Sequence, residues 1–154
     1  MSVAEITKNM TDLNRPVFSI GVAAEMIGVS VHTLRMYESE GLVFPHRTDS
    51  ARRLYSHNDL HRLRCIRVML DEKGLNIAGI KALMSLAPCW EIKNCSMNDR
   101  MHCPAYHETT TPCWLIEEKP RVCSEEVCRT CPVYTELTLC GNMKLFLKRH
   151  WKQV

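Results

Sequence analysis

No apolar run in this 154-residue chain approaches the roughly 18 residues that a membrane-spanning helix needs, so no membrane association is expected. Met1 to Arg15 mixes acidic and basic residues without the apolar core of a signal peptide. Residues 1–16 therefore read as a flexible arm, and the cytoplasm is the expected compartment. Glycine-rich phosphate loops, Gly-x-Ser-x-Gly elbows and His-Glu-x-x-His pairs are all missing, so the chain does not read as an enzyme. The net charge is only +3, and overall composition alone does not argue for nucleic acid. Cysteine is nearly absent from the first half: only Cys65 precedes residue 88, and it reads as a small core residue within a helix.

What the chain does contain starts with two short helical runs around a tight turn. Ile20 to Ile27 has Val22, Ala23, Met26 and Ile27 on one side. Gly28-Val29-Ser30 then makes a turn, and Ser30 can cap a second helix from Val31 that Gly41 can end. Val31 and Leu34 point inward, His32, Thr33 and Met36 outward, with Arg35 and Tyr37 on the flanks. Such a pair is a helix-turn-helix, whose second helix enters the major groove of DNA.

The following segment, Phe44 to Tyr55, has no helical period and fits a wing hairpin. Six arginines lie between Arg47 and Arg67 against Asp49 and Asp59, a local cluster of the kind that contacts phosphates. Ser56 and Asp59 approximate a capping box for a helix from about His57 to Lys73, with Leu60, Leu63, Ile66 and Leu70 inward. Gly74 ends it. Asn76 caps a helix from about Ile77 to Ala87, with Ile77, Ile80, Leu83 and Met84 inward, and Pro88 closes this domain.

From Phe18 to Leu86 the chain resembles the DNA-binding domain of MerR-type transcriptional regulators. The resemblance rests on Thr33-Leu34-Arg35-Met36-Tyr37, Gly41-Leu42, Pro45-His46-Arg47, Arg52-Arg53-Leu54-Tyr55, Asp59 and Gly74-Leu75-Asn76-Ile77. Arg52-Arg53 and the Gly74 to Ile80 stretch are most similar to the heat-shock repressor branch. The candidate DNA-binding residues are Thr33, Arg35, Tyr37, Arg47, Arg52, Arg53 and Tyr55. Arg35 suits a base edge, because an arginine fork pairs with guanine; the resemblance implies that Arg53 and Tyr55 hold the wing on phosphates. It also implies double-stranded DNA and RNA polymerase at the promoter as partners. A homodimer is expected, since helix-turn-helix proteins usually pair over two half-sites. MerR-type activators usually continue into a long dimerisation helix, where this chain has Pro88-Cys89.

The second half is set apart by its cysteines, eight of the nine falling between Cys89 and Cys140. Without an export signal, metal binding or redox chemistry is favoured over a disulfide framework. The segment also repeats itself. Pro88-Cys89-Trp90-Glu91-Ile92 recurs as Pro112-Cys113-Trp114-Leu115-Ile116, and Cys103-Pro104-Ala105-Tyr106 as Cys131-Pro132-Val133-Tyr134. Neither copy is long enough for its own core. The pattern resembles the two-CW modules attached to bacterial signalling proteins, which implies a sensory appendage. Cys123, Cys128 and Cys131 follow C-x4-C-x2-C, and Cys113 can complete a four-thiolate site. Cys89, Cys95 and Cys103 offer a second or shared site, with His102, His107 or Cys140 as a fourth ligand. Zinc, an iron–sulfur cluster and thiol/disulfide switching all remain open.

The expected organisation is mostly α: an arm over 1–16, a winged helix-turn-helix domain over 17–87, a duplicated, ligand-stabilised cysteine-rich module over 88–134, and a C-terminal helix over 135–154. That tail, from about Val133 to Trp151, would align Leu139, Met143, Phe146 and His150 in a stripe and offers a dimer interface. The expected function is sequence-specific transcriptional regulation, with the cysteine-rich half sensing metal, redox state or a small ligand. A DNA-binding protein with a purely structural zinc module is the second reading. A thiol redox enzyme built on Cys128-x-x-Cys131 is the third, and it leaves the recognition helix unused.

Overall fold

The computed structural model describes residues 12–119, 121–124, 128–137, 140 and 143–151. It is mostly helical with one small sheet. The order is β1 (Phe18–Ser19), α1 (Ile20–Ile27), α2 (Val31–Ser39), β2 (His46–Arg47), β3 (Arg53–Tyr55), α3 (His57–Asp71) and α4 (Ile77–Ser85). Short pieces follow: α5 (Cys89–Ile92), α6 (Met97–Met101), α7 (Pro104–His107), a 3-10 turn at Cys113–Leu115, α8 (Arg121–Ser124), a second 3-10 turn at Cys128–Thr130, α9 (Pro132–Thr135) and α10 (Met143–His150). The chain divides into two compact units, 1–64 and 65–154. That division falls inside α3, whereas the sequence reading drew its boundary at Pro88. The physical reason lies in the bonding of α4: the Ser85 hydroxyl donates to the Thr109 carbonyl at 2.9 Å, so α4 is tied to the cysteine-rich segment.

In the first unit, Ser19 caps α1 and Ser30 caps α2, its Oγ accepting from Thr33 N–H at 3.0 Å. Gly28 ends α1 at φ 78°, a left-handed conformation that costs a side-chain-bearing residue strain and glycine nothing. Ala23, Ala24, Leu34, Tyr37, Leu42, Val43, Tyr55, Leu60 and Leu63 are buried. Val22 and Met26, expected inward, are instead 45% and 43% exposed. On so short a helix the alanine pair gives the closest approach, and the larger side chains turn to solvent.

The sheet has the order β1-β3-β2, antiparallel throughout, with Phe18 opposite Tyr55 and Arg47 opposite Arg53. β2 and β3 are the expected wing; β1 was not foreseen, being two residues long. The segment before it is also anchored. Val17 N–H donates to Tyr55 O, Asn58 N–H to Leu13 O, and Asn58 Nδ2 to Asn14 Oδ1. Leu13 and Asn14 are therefore bonded to α3 and Val17 to the wing; residues 1–11 lie outside the described set.

The capping box that starts α3 forms as expected: Ser56 N–H donates to Asp59 Oδ2 and Asp59 N–H to Ser56 Oγ. Asn76 caps α4 through Gly79 N–H at 2.8 Å. Ser96 and Asp99 repeat the box at α6. The tail is not one helix. α9 stops at Thr135 and α10 starts at Met143. Leu137 is fully buried, and Cys140 forms a disulfide with Cys65 of α3 across 75 residues of sequence. Cys65 is thus a cross-linked residue, not simply a small core one. Of the expected stripe, Phe146 is buried, Met143 and His150 are half-buried, and Leu139 lies outside the described residues. His150 meets Glu136 at 2.9 Å, which folds α10 back on its own unit.

Candidate functional site

The first candidate surface is the outer face of α2 with the wing. His32 and Arg35 are exposed on it. Thr33 is half-buried, its hydroxyl 2.9 Å from that of Ser30 at the helix start. Tyr37 is only 1% exposed. Its ring completes the core side of α2, one turn beyond Leu34, rather than standing on the flank of the helix. Tyr55, the third residue of β3, is fully buried as well. Burial holds its hydroxyl proton well above the ordinary phenol range, with the nearby Glu38 carboxylate acting the same way. That hydroxyl has no hydrogen-bond partner among the described residues.

The wing arginines are organised by a residue that sequence reasoning missed. Glu38, on the last turn of α2, pairs through one oxygen with Arg47 Nη2 and through the other with Arg53 Nε. Its side chain is 13% exposed, against 51% for Arg47 and 27% for Arg53. One carboxylate therefore clasps both strands of the hairpin to α2. No local signal marks this role, because the partners of Glu38 lie 9 and 15 residues away. Arg52 is exposed at the hairpin turn, where its N–H donates to Thr48 Oγ1 and its carbonyl accepts from Thr48 N–H.

The second candidate site lies wholly in the second unit. Cys89, Cys95, Cys103, Cys113, Cys123, Cys128 and Cys131 all line one pocket, together with Trp90, Trp114, Tyr106, Tyr134 and the cations Lys93, Arg100 and Lys119. The two groups that spacing separated are thus neighbours, and Cys140 is committed to its disulfide. Among the described residues, no three His, Cys, Asp or Glu side chains are already drawn tightly enough to hold an ion. The expected single cage of Cys113, Cys123, Cys128 and Cys131 is not pre-assembled, because those thiols face a shared space rather than one point.

The duplication seen in the sequence is also a duplication in space. Cys103 and Cys131 each precede a proline-initiated helical turn, α7 and α9. Trp90 meets Tyr106 edge-on at 5.1 Å and 84°, and Trp114 meets Tyr134 edge-on at 5.3 Å and 87°. The first cysteines of the two copies meet directly: the Cys113 thiol donates a hydrogen bond to Cys89 sulfur, which favours the Cys89 thiolate and disfavours that of Cys113. Burial raises Cys95, with Cys89 and Cys103 nearby. Cys123 is pushed up to about 11 by burial, then by Cys95 and Cys89. Cys128 stands apart from this set, its sulfur accepting from Lys119 Nζ at 3.2 Å. His102 and His107 are bonded to the Asn98 and Met101 carbonyls.

Comparison with known proteins bears on the first unit and the start of the second. Residues 18–87 match the family model described as MerR HTH family regulatory protein. The putative heat shock protein HspR of Streptomyces coelicolor is 42% identical over 71 residues, 46% of this chain and 47% of that protein. The HTH-type transcriptional regulator GlnR of Bacillus cereus is 44% identical over 69 residues, 45% of this chain and 53% of its own length. A heavy metal-dependent transcription regulator of Rhizobium meliloti is 42% identical over 69 residues, 44% and 46% of the two chains. The chain spans about half the length of the curated relatives it matches.

Proposed function

We propose that the protein, whose residues 18–87 match the MerR HTH family model, is a transcriptional regulator that binds double-stranded DNA through α2 and the wing, and whose cysteine pocket binds a thiophilic metal as its signal. The convergence of seven cysteines on one pocket carries the sensory half of this reading. Thiolates bind soft metals, and a protein of this size has no structural need for so many cysteines outside disulfides at one place. The regulators of Rhizobium meliloti named for heavy-metal dependence support the same direction.

In the DNA-bound state Arg35 reaches a base edge, while Arg47, Arg52 and Arg53 meet phosphates. The unit acts as a homodimer over two half-sites, in the cytoplasm, beside RNA polymerase. Phe146 is buried in its own chain and takes no part in the dimer contact; Leu145 and Trp151 are the exposed apolar residues of that segment. No helix among the described residues is long and apolar enough to cross a membrane.

The test is fluorescence anisotropy on DNA from the chain's own upstream region, with and without added metal. Arg35→Ala should cost about 1–3 kcal/mol of specific binding and relax sequence preference. Arg52→Ala should weaken all DNA alike and flatten the salt dependence. Parental affinity in Arg35→Ala would remove α2 from the DNA interface. An operator affinity that metal does not change would remove the sensing role.

A further inference from the structure

Resting on the metal-thiolate reading above, we infer that the pocket is a dinuclear site in which two tetrahedral divalent ions, zinc in the first instance, share the thiolates of Cys89 and Cys113. Cys95 and Cys103 complete one ion, and Cys123 and Cys131 the other.

A tetrahedral thiolate ion takes four sulfurs at about 2.3 Å. Each copy of the repeat offers three corresponding cysteines, one short of a site: Cys89, Cys95 and Cys103, then Cys113, Cys123 and Cys131. Two separate ions would require eight sulfurs. Two ions that share two sulfurs need six, which is the number the duplication supplies. Sharing also demands that one cysteine from each copy sit at the junction. Cys89 and Cys113 do so, since they occupy the same place in their copies and line the same pocket.

The remaining groups sort accordingly. Cys103 and Cys131 enter the pocket from equivalent positions, each just before a proline-led turn. The Trp–Tyr pairs of the two copies have matching edge-on geometry and form equivalent apolar walls beside the sulfurs. Cys128 has no counterpart in the first copy and is held by Lys119. His107 has no counterpart either, Thr135 standing in its place. Loading two divalent ions displaces one proton from each of the six thiols and leaves a net negative cluster. Lys93, Arg100 and Lys119 on the pocket wall offset that charge. No electron is transferred, and binding should strengthen as pH rises because protons are released.

The experiment titrates the reduced, anaerobic full chain with cobalt(II) and zinc, then records a cadmium-113 NMR spectrum. Charge-transfer absorption should saturate at about two equivalents. Cadmium should give two resonances in the all-sulfur range that split each other through the shared thiolates. Cys128→Ser should keep both ions. Cys89→Ser and Cys113→Ser should each disturb both, whereas Cys95→Ser should disturb one. The cadmium spectrum of the parent chain settles the bridge even if those variants fail to fold. One equivalent of metal, uncoupled resonances, or loss of an ion in Cys128→Ser overturns the shared-thiolate arrangement while metal binding stands. So does iron with matching inorganic sulfide in the protein as purified. Failure to bind any of the metals overturns both readings.

Discussion

Glu38 holds two arginines that would otherwise be available for phosphate. Removing its charge has two opposed consequences for DNA affinity. A less negative surface favours DNA; an unclasped hairpin disfavours it. Glu38 and Arg53 are largely withdrawn from solvent, and breaking a partly buried pair costs more than an exposed one. Positioning should therefore win: Glu38→Gln should lower both the thermal midpoint and operator affinity, the stability loss being on the order of 1 kcal/mol. Tighter DNA binding in that variant would show the clasp to be merely competitive. Tyr55 makes the opposite case. Its buried hydroxyl has no partner among the described residues, and removing an unsatisfied polar group relieves a desolvation cost. Tyr55→Phe should keep DNA binding and be neutral or stabilising in urea unfolding. A marked drop in affinity would return the hydroxyl to the DNA contact expected from sequence.

Among the elements, those with local causes were legible in the sequence. Ser30, the Ser56–Asp59 box and Asn76 start α2, α3 and α4 where the cap residues indicate. Leu34, Leu60, Leu63, Ile80 and Met84 are buried as their helical spacing requires. The motif positions of Tyr37 and Tyr55 do not show which way a ring turns; both rings are buried by their apolar bodies. The long tail helix misled because helical periodicity is local, whereas α9 and α10 are set by remote partners. The Cys65–Cys140 link, 75 residues apart, had no local signal at all. Closing so long a loop restricts the unfolded chain, and such cross-links contribute typically 2–4 kcal/mol. Cys140→Ser should lose stability of that order when both proteins are unfolded oxidised, and the difference should vanish under reductant. Equal midpoints in oxidising buffer would mean the link does not restrain folding.

At the scale of the whole molecule, the cysteine-rich segment combines few large aliphatics with seven thiols around one space. Metal can supply on the order of 10 kcal/mol to such a unit, as much as a small domain's whole stability. Chelation of the metal-loaded chain should therefore expose residues beyond Pro88 to protease within minutes while α1 and α2 stay protected. Mass spectrometry of the fragments reads the outcome; unchanged cleavage after chelation would make the metal dispensable to folding. What the sequence withheld here was convergence. It marked the two cysteine groups and their duplication, but the pairing of Cys89 with Cys113 depends on how two copies face one another.

α3 belongs to both compact units, with Arg64 in one and Cys65 in the next. The matched family region, 18–87, thus ends well inside the second unit. For anyone grafting parts, that boundary is not a seam. A chimera joined after residue 87 would carry α4 without the Thr109 carbonyl that receives its Ser85 hydroxyl, and Cys65 without Cys140. The second half of α3 and α4 are held to the cysteine-rich segment by the Cys65–Cys140 and Ser85–Thr109 links, so a graft that moves the cysteines calls for moving the second half of α3 with them.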